Sequence, residues 1–89
     1  MVERELEIVN RLGLHARAAA KLVHTAARFS SEITIHKDGD RVDAKSILGL
    51  LQLGAARGTS IVVSCEGDDE ADAMESMVDL IEGRFGEES

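Results

Sequence analysis

The sequence predicts an α+β fold: an open-faced sandwich of order βαββαβα, in which three helices cover one face of a four-stranded antiparallel sheet. Three observations carry this. Apolar residues recur at period two in short stretches and at helical spacing in longer ones. Asp38-Gly39 separates two of the short stretches and supplies the positive-φ positions of a tight hairpin. The chain has 89 residues, one cysteine and no proline, so it forms one small domain, residues 1–89, with no disulfide framework.

Each element follows in turn. Over Val2–Val9, Leu6 and Ile8 alternate with Glu3, Glu5 and Glu7, as in a half-buried strand. Asn10 to Gly13 has the composition of a loop. Ala16 to Ala27 is helical, with Ala19, Leu22, Val23 and Ala26 on one stripe. Ile33 and Ile35 alternate with Glu32, Thr34 and His36 in a second strand, and Arg41–Asp43 is the short return strand of the hairpin.

Ser46 caps a second helix through its hydroxyl, and that helix runs through Ile47, Leu48, Leu50, Leu51 and Leu53 to Gly54. Ile61, Val63 and Cys65 mark a fourth strand over Ser60–Glu66. A last helix begins at Asp68 or Asp69, with acids at its positive end and Met74, Met77, Val78 and Ile81 along its stripe. Residues 83–89 read as a frayed acidic tail.

Composition narrows the function. The formal net charge is −7 and the only aromatics are Phe29 and Phe85. Such a chain has neither the phosphate-neutralising charge nor the stacking rings that nucleic acid requires. No apolar run approaches the ~20 residues of a membrane span, and no charged-then-apolar leader opens the sequence. The expectation is a cytoplasmic, monomeric domain without membrane insertion. The charge is unevenly spread: residues 66–89 hold ten acids and one base, leaving the first 65 residues at +2. A site for an anion belongs in that first part.

His15 stands at the expected start of the first helix, where free backbone N–H groups and about half a positive charge gather. Imidazole is a poor N-cap, so local stability does not explain its presence there. Arg17 follows two residues later, with a forked guanidinium suited to phosphoryl oxygens. The amides of Ala16, Arg17 and Ala18 are placed to cradle an anion. Small neighbours leave room for close approach by another protein. The combination suits a histidine that becomes phosphorylated, since a neutral ring nitrogen is nucleophilic near pH 7.

Metal binding is disfavoured. His15 and His24 fall on opposite helix faces at about 100° per residue, while His36 lies on a strand and Cys65 points inward. No catalytic triad is recognisable, and nothing in the sequence calls for a cofactor.

The second helix points to a protein partner. Its apolar residues cover most of the circumference, and one sheet face cannot bury them all. Ile47, Leu48 and Leu51, with Ala20 and Arg17 beside them, are expected to form a docking patch. A phosphate on Ser46 is compatible with the helix start and would weaken docking without unfolding the helix.

Gly13-Leu14-His15-Ala16-Arg17-x-Ala19-Ala20 resembles the phosphorylation-site signature of the HPr family, the histidine-containing phosphocarriers of the bacterial phosphoenolpyruvate-dependent phosphotransferase system. Lys45-Ser46-Ile47-Leu48-Gly49-Leu50-Leu51-x-Leu53-Gly54 resembles that family's regulatory serine segment. The likeness continues through Ala55-x-x-Gly58-Thr59 and Glu66-Gly67-x-Asp69-Glu70, and covers roughly Val2 to Ile81.

The resemblance implies that His15 takes a phosphoryl group on Nδ1 from Enzyme I and passes it to an EIIA-type domain, while Arg17 steadies the group in transit. It implies that an HPr kinase, in hosts that have one, modifies Ser46. The chain would then be a stoichiometric intermediate and not an enzyme in its own right. The alternative is a regulatory module of the nitrogen-related branch, acting mainly by protein–protein contact. The pairing of His15 with Arg17 favours the carrier. Two positions depart from the family pattern: Ala18 stands where proline is usual, and Leu12 where a polar residue is usual. Proline would preset φ in the first turn, so Ala18 loosens that preorganisation.

Overall fold

The computed structural model describes residues 1–89 and places the strands in the order β1-β4-β2-β3, all neighbours antiparallel. The elements run β1 (Val2–Glu7), α1 (Ala16–Ala26), β2 (Glu32–Lys37), β3 (Asp40–Asp43), α2 (Ile47–Leu53), β4 (Ser60–Glu66) and α3 (Glu70–Glu82). This is the expected βαββαβα sheet with three helices.

Register explains how one sheet face becomes the core. Leu6 pairs with Ile61, while Cys65 lies between Val2 and Ile33, and Val63 and Val42 flank Ile35. Side chains alternate along each strand, so these rows all face the helices. They meet Ala18, Ala19, Leu22 and Ala26 of α1, Leu50 and Leu53 of α2, and Ala73, Met74, Met77 and Ile81 of α3. The alanines of α1 let that helix approach closely. The inner strand β4 buries Ile61, Val63 and Cys65 as the alternation predicts, and Ser64 on its other face as well, where it bonds Glu3; the charged β1 and short β3 form the edges, which suits strands that must not recruit another chain.

The hairpin forms at Asp38-Gly39, with φ of 50° and 86° at the two residues. These are the left-handed positions that match the twist of the flanking strands. Element ends differ from the sequence reading by a residue or two: β1 stops at Glu7, α1 at Ala26, and β3 starts at Asp40.

The larger difference lies at the C-terminus. Residues 83–89 do not form the expected frayed tail. Arg84–Gly86 make a 3₁₀ turn, and Phe85 is among the largest fully buried side chains, 1 % exposed. Arg84 and Phe85 both carry positive φ, 57° and 55°, a conformation costing an L-residue roughly 1–2 kcal/mol. It is held because the ring enters the core and because Lys21 Nζ of α1 donates to the Phe85 carbonyl at 2.6 Å. Burying an aromatic of this size contributes about 1.5–3 kcal/mol. The tail therefore returns to the N-terminal end of α1.

Candidate functional site

His15 is the N-cap residue of α1, with extended backbone and no side-chain capping bond. Its ring is thus free for other work. The helix ladder opens with Ala19 N–H donating to the His15 carbonyl, and the amides of Ala16, Arg17 and Ala18 donate to no backbone acceptor. The three expected anion-cradling amides are accordingly unpaired. The Arg17 side chain is exposed and takes part in no ion pair. The Ala18 side chain is fully buried, so its contribution to the surface is the amide that a proline there would lack.

The loop before His15 is pinned on both sides. Gly13 has φ of 67°, and a Cβ there would lie 2.7 Å from the Ala55 carbonyl oxygen. That same carbonyl accepts from Leu14 N–H at 2.8 Å. Asn10 is fully buried, and its Nδ2 donates to the Gly13 carbonyl at 2.7 Å and to Glu87 Oε1 at 3.0 Å. Exchanging the amide's N and O would set an oxygen against two acceptors, which fixes its orientation.

Glu87 completes the site. Its Oε2 lies 2.5 Å from His15 Nε2, and the His15 side chain is 25 % exposed. The hydrogen bond from His15 is the main cause that holds the Glu87 carboxyl below the usual glutamate range; the bond from Asn10 comes next, with smaller help from the positive charge of Lys21. Arg11, Leu12, Arg17, Glu87, Glu88 and Ser89 line a shallow recess beside the ring.

Sequence reasoning placed His15, Arg17 and the three amides, and it missed Asn10, Lys21, Phe85 and Glu87. Only Phe85, an isolated aromatic in an acidic stretch, carried a signal in the sequence. A large apolar side chain beyond a helix end is a reason to expect the chain to fold back.

The three apolar residues of α2 expected to dock a partner stand at the surface. Ile47, Leu48 and Leu51 are 43, 71 and 38 % exposed, whereas Leu50 and Leu53 of the same helix are buried. Because α1 packs against α2, this apolar patch adjoins the helix that carries His15 and the half-exposed Ala20. Leu12, 61 % exposed, adds apolar surface in the loop before His15. Ser46 is the N-cap of α2, its Oγ accepting from Gly49 N–H at 3.1 Å.

The remaining reactive groups stand apart. His24 is exposed on α1, and His36 meets only Thr34 Oγ1, at 3.4 Å. Cys65 is buried in β4; desolvation, then the charges of Glu70 and Asp69, push its thiol above the usual range. No three His, Cys, Asp or Glu side chains are grouped to hold a metal ion, and no helix is long and apolar enough to cross a membrane.

The chain is thus a small open-faced α+β domain whose first helix starts on a histidine, an unpaired arginine and three free amides, an arrangement chemically suited to an anion. Comparison with known proteins narrows the class. Residues 2–83 match the family model described as the PTS HPr component phosphorylation site. The phosphocarrier protein HPr of Neisseria meningitidis is 51 % identical over 87 residues, covering 98 % of each chain. The crystal structure of HPr from Thermoanaerobacter tengcongensis superposes with a TM-score of 0.97 at 52 % identity, over all of both chains. A structure described as the HPr dimer of the same organism gives 0.79, over 98 % of this chain and 100 % of that one. The chain belongs to the HPr family, the phosphocarriers of the phosphotransferase system.

Proposed function

We propose that this chain accepts a phosphoryl group on Nδ1 of His15 from Enzyme I, charged by phosphoenolpyruvate, and donates it to an EIIA-type domain. It acts in the cytoplasm as a stoichiometric intermediate that turns over no substrate alone. The observation that carries this reading is the placement of His15 at the start of α1, beside three unpaired amides and the free Arg17 guanidinium. The Nδ1 lone pair attacks phosphorus as the bond to the donor breaks. Negative charge on the phosphoryl oxygens then meets the positive helix end and the guanidinium, which stabilise it in place.

Partners reach this centre by docking on Ile47, Leu48 and Leu51, with Ala20 and Arg17 at the edge of the contact. The carrier works as a single copy, because the α1–α2 face must stay open to them. Ser46, at the margin of the patch, is the regulatory site: phosphorylation by an HPr kinase sets a charge of about −2 against the incoming partner.

Incubation with Enzyme I and labelled phosphoenolpyruvate tests the reading. The chain is expected to take up an acid-labile, base-stable label, and His15→Ala to take up none. Undiminished labelling of His15→Ala refutes it.

A further inference from the structure

We propose that Glu87 is a positioning residue for phosphoryl transfer: it holds the proton on Nε2 of His15 and thereby keeps Nδ1 as the free nucleophile. The proposal rests on the carrier reading above and deepens it. A carboxylate only accepts hydrogen bonds, so an Oε2–Nε2 separation of 2.5 Å requires the proton to be on Nε2. A neutral ring has one N–H, which leaves the Nδ1 lone pair exposed, and Nδ1 has no hydrogen-bond partner in the protein. The same logic, a hydrogen bond at one ring nitrogen setting the role of the other, governs histidines elsewhere.

The carboxylate is itself held from two directions. Asn10 Nδ2, buried beneath the loop, fixes Oε1 at 3.0 Å, and the buried Phe85 ring and the Lys21 bond to its carbonyl anchor the turn just before Glu87. The charged groups around the pair are Lys21 and Arg17 from α1, Arg11 from the preceding loop, and Glu88 from the tail itself.

The arrangement lets phosphoryl transfer proceed without moving a proton. As Nδ1 attacks, the P–Nδ1 bond forms and the donor's bond to phosphorus breaks; the ring, still protonated at Nε2, becomes a cation facing the Glu87 anion. On donation the P–Nδ1 bond breaks, its electron pair returns to Nδ1, and the ring leaves as neutral imidazole. Loss of the Nε2 proton would instead oblige an imidazolate to leave, so donation slows at high pH. The Glu87 anion facing that cation favours keeping the proton on Nε2.

Glu87→Gln keeps the shape and removes the charge. In ¹⁵N-histidine spectra of the unphosphorylated protein, the wild type is expected to show a His15 Nε2–H signal protected from solvent exchange, and Glu87→Gln to lose it. In donation from the phosphorylated proteins to an EIIA-type domain, the alkaline limb of the pH–rate profile is expected to move to lower pH in Glu87→Gln. Glu75→Gln, at an exposed position of α3 outside the recess, leaves both readouts at their wild-type values. A Glu87→Gln protein with an unmoved alkaline limb overturns the proposal, as does a uniform change in rate at every pH, which a merely structural strap would give. The spectroscopic arm uses no phosphoryl donor, so failure of the carrier reading is seen separately, in the wild-type labelling.

Discussion

A methyl group on Gly13 would sit 2.7 Å from the Ala55 carbonyl oxygen and 3.0 Å from Ala56 Cα, closer than Cβ atoms come to anything. One missing side chain thus sets how near the loop before His15 lies to the segment after α2. That contact came from the structure, since the sequence marks Gly13 only as a small loop residue; the placement of His15, Arg17 and Ser46 at helix starts was legible, because helix-start chemistry is a local rule. Asn10 and Glu87 were not legible. Their bonds to each other and to His15 join residues 77 and 72 positions apart, and no local rule reaches that far. Asp69 is a third such case. It occupies the N-cap position of α3 yet gives its carboxylate to Ser30 and Ser31, accepting from both amides and from the Ser31 hydroxyl. The Ser31 hydroxyl bond is the largest cause that lowers the Asp69 carboxyl below its usual value, followed by the Ser30 amide. A depressed carboxylate contributes stability that is present above its unfolded pKa and lost as pH falls through the folded one. Asp69→Asn is therefore expected to lower the thermal midpoint at pH 7 while flattening its decline below about pH 4. Thermal scans of both proteins from pH 7 to pH 2 check this, and parallel acid curves would remove Asp69 from the account.

At the scale of elements, α2 illustrates how periodicity can signal both core and surface. Five apolar residues on a seven-residue helix exceed what one buried stripe accepts, and the excess emerges as Ile47, Leu48 and Leu51. The Ser46 cap keeps that short helix in register with the patch. Aspartate is also a good N-cap, so Ser46→Asp is expected to leave the helix intact and to weaken docking on Enzyme I roughly tenfold, equivalent to about 1.4 kcal/mol. Circular dichroism and the KM for labelling separate the two effects; unchanged docking removes the basis of the switch, and lost helicity would assign Ser46 a structural role alone. The C-terminal turn teaches the opposite lesson. Its acids and glycines signal a solvated tail, and positive φ at Arg84 and Phe85 opposes any local preference. Burial of a single ring overrides both, which composition cannot show.

Across the whole molecule, the sheet order was accessible from the sequence as a class, since four one-sided strands and three one-sided helices have few ways to share a core. The pairing of β1 with β4, the first and last strands, came only from the structure. Charge followed a similar course. The site lies in the +2 part of the chain, but the acidic final segment returns Glu87 to it, so the two charge domains of the sequence meet at one histidine. A carrier needs that histidine accessible to donor and acceptor in turn, and the 25 % exposure of its side chain beside an open apolar face fits alternating partners. The most direct test is a chase. The chain is labelled through Enzyme I, separated from phosphoenolpyruvate, and mixed with an unlabelled EIIA-type domain. Passage of the label to that domain, with recovery of a chain that can be charged again at His15, is the predicted result. Label that stays on the chain, or leaves only as free phosphate, contradicts the account.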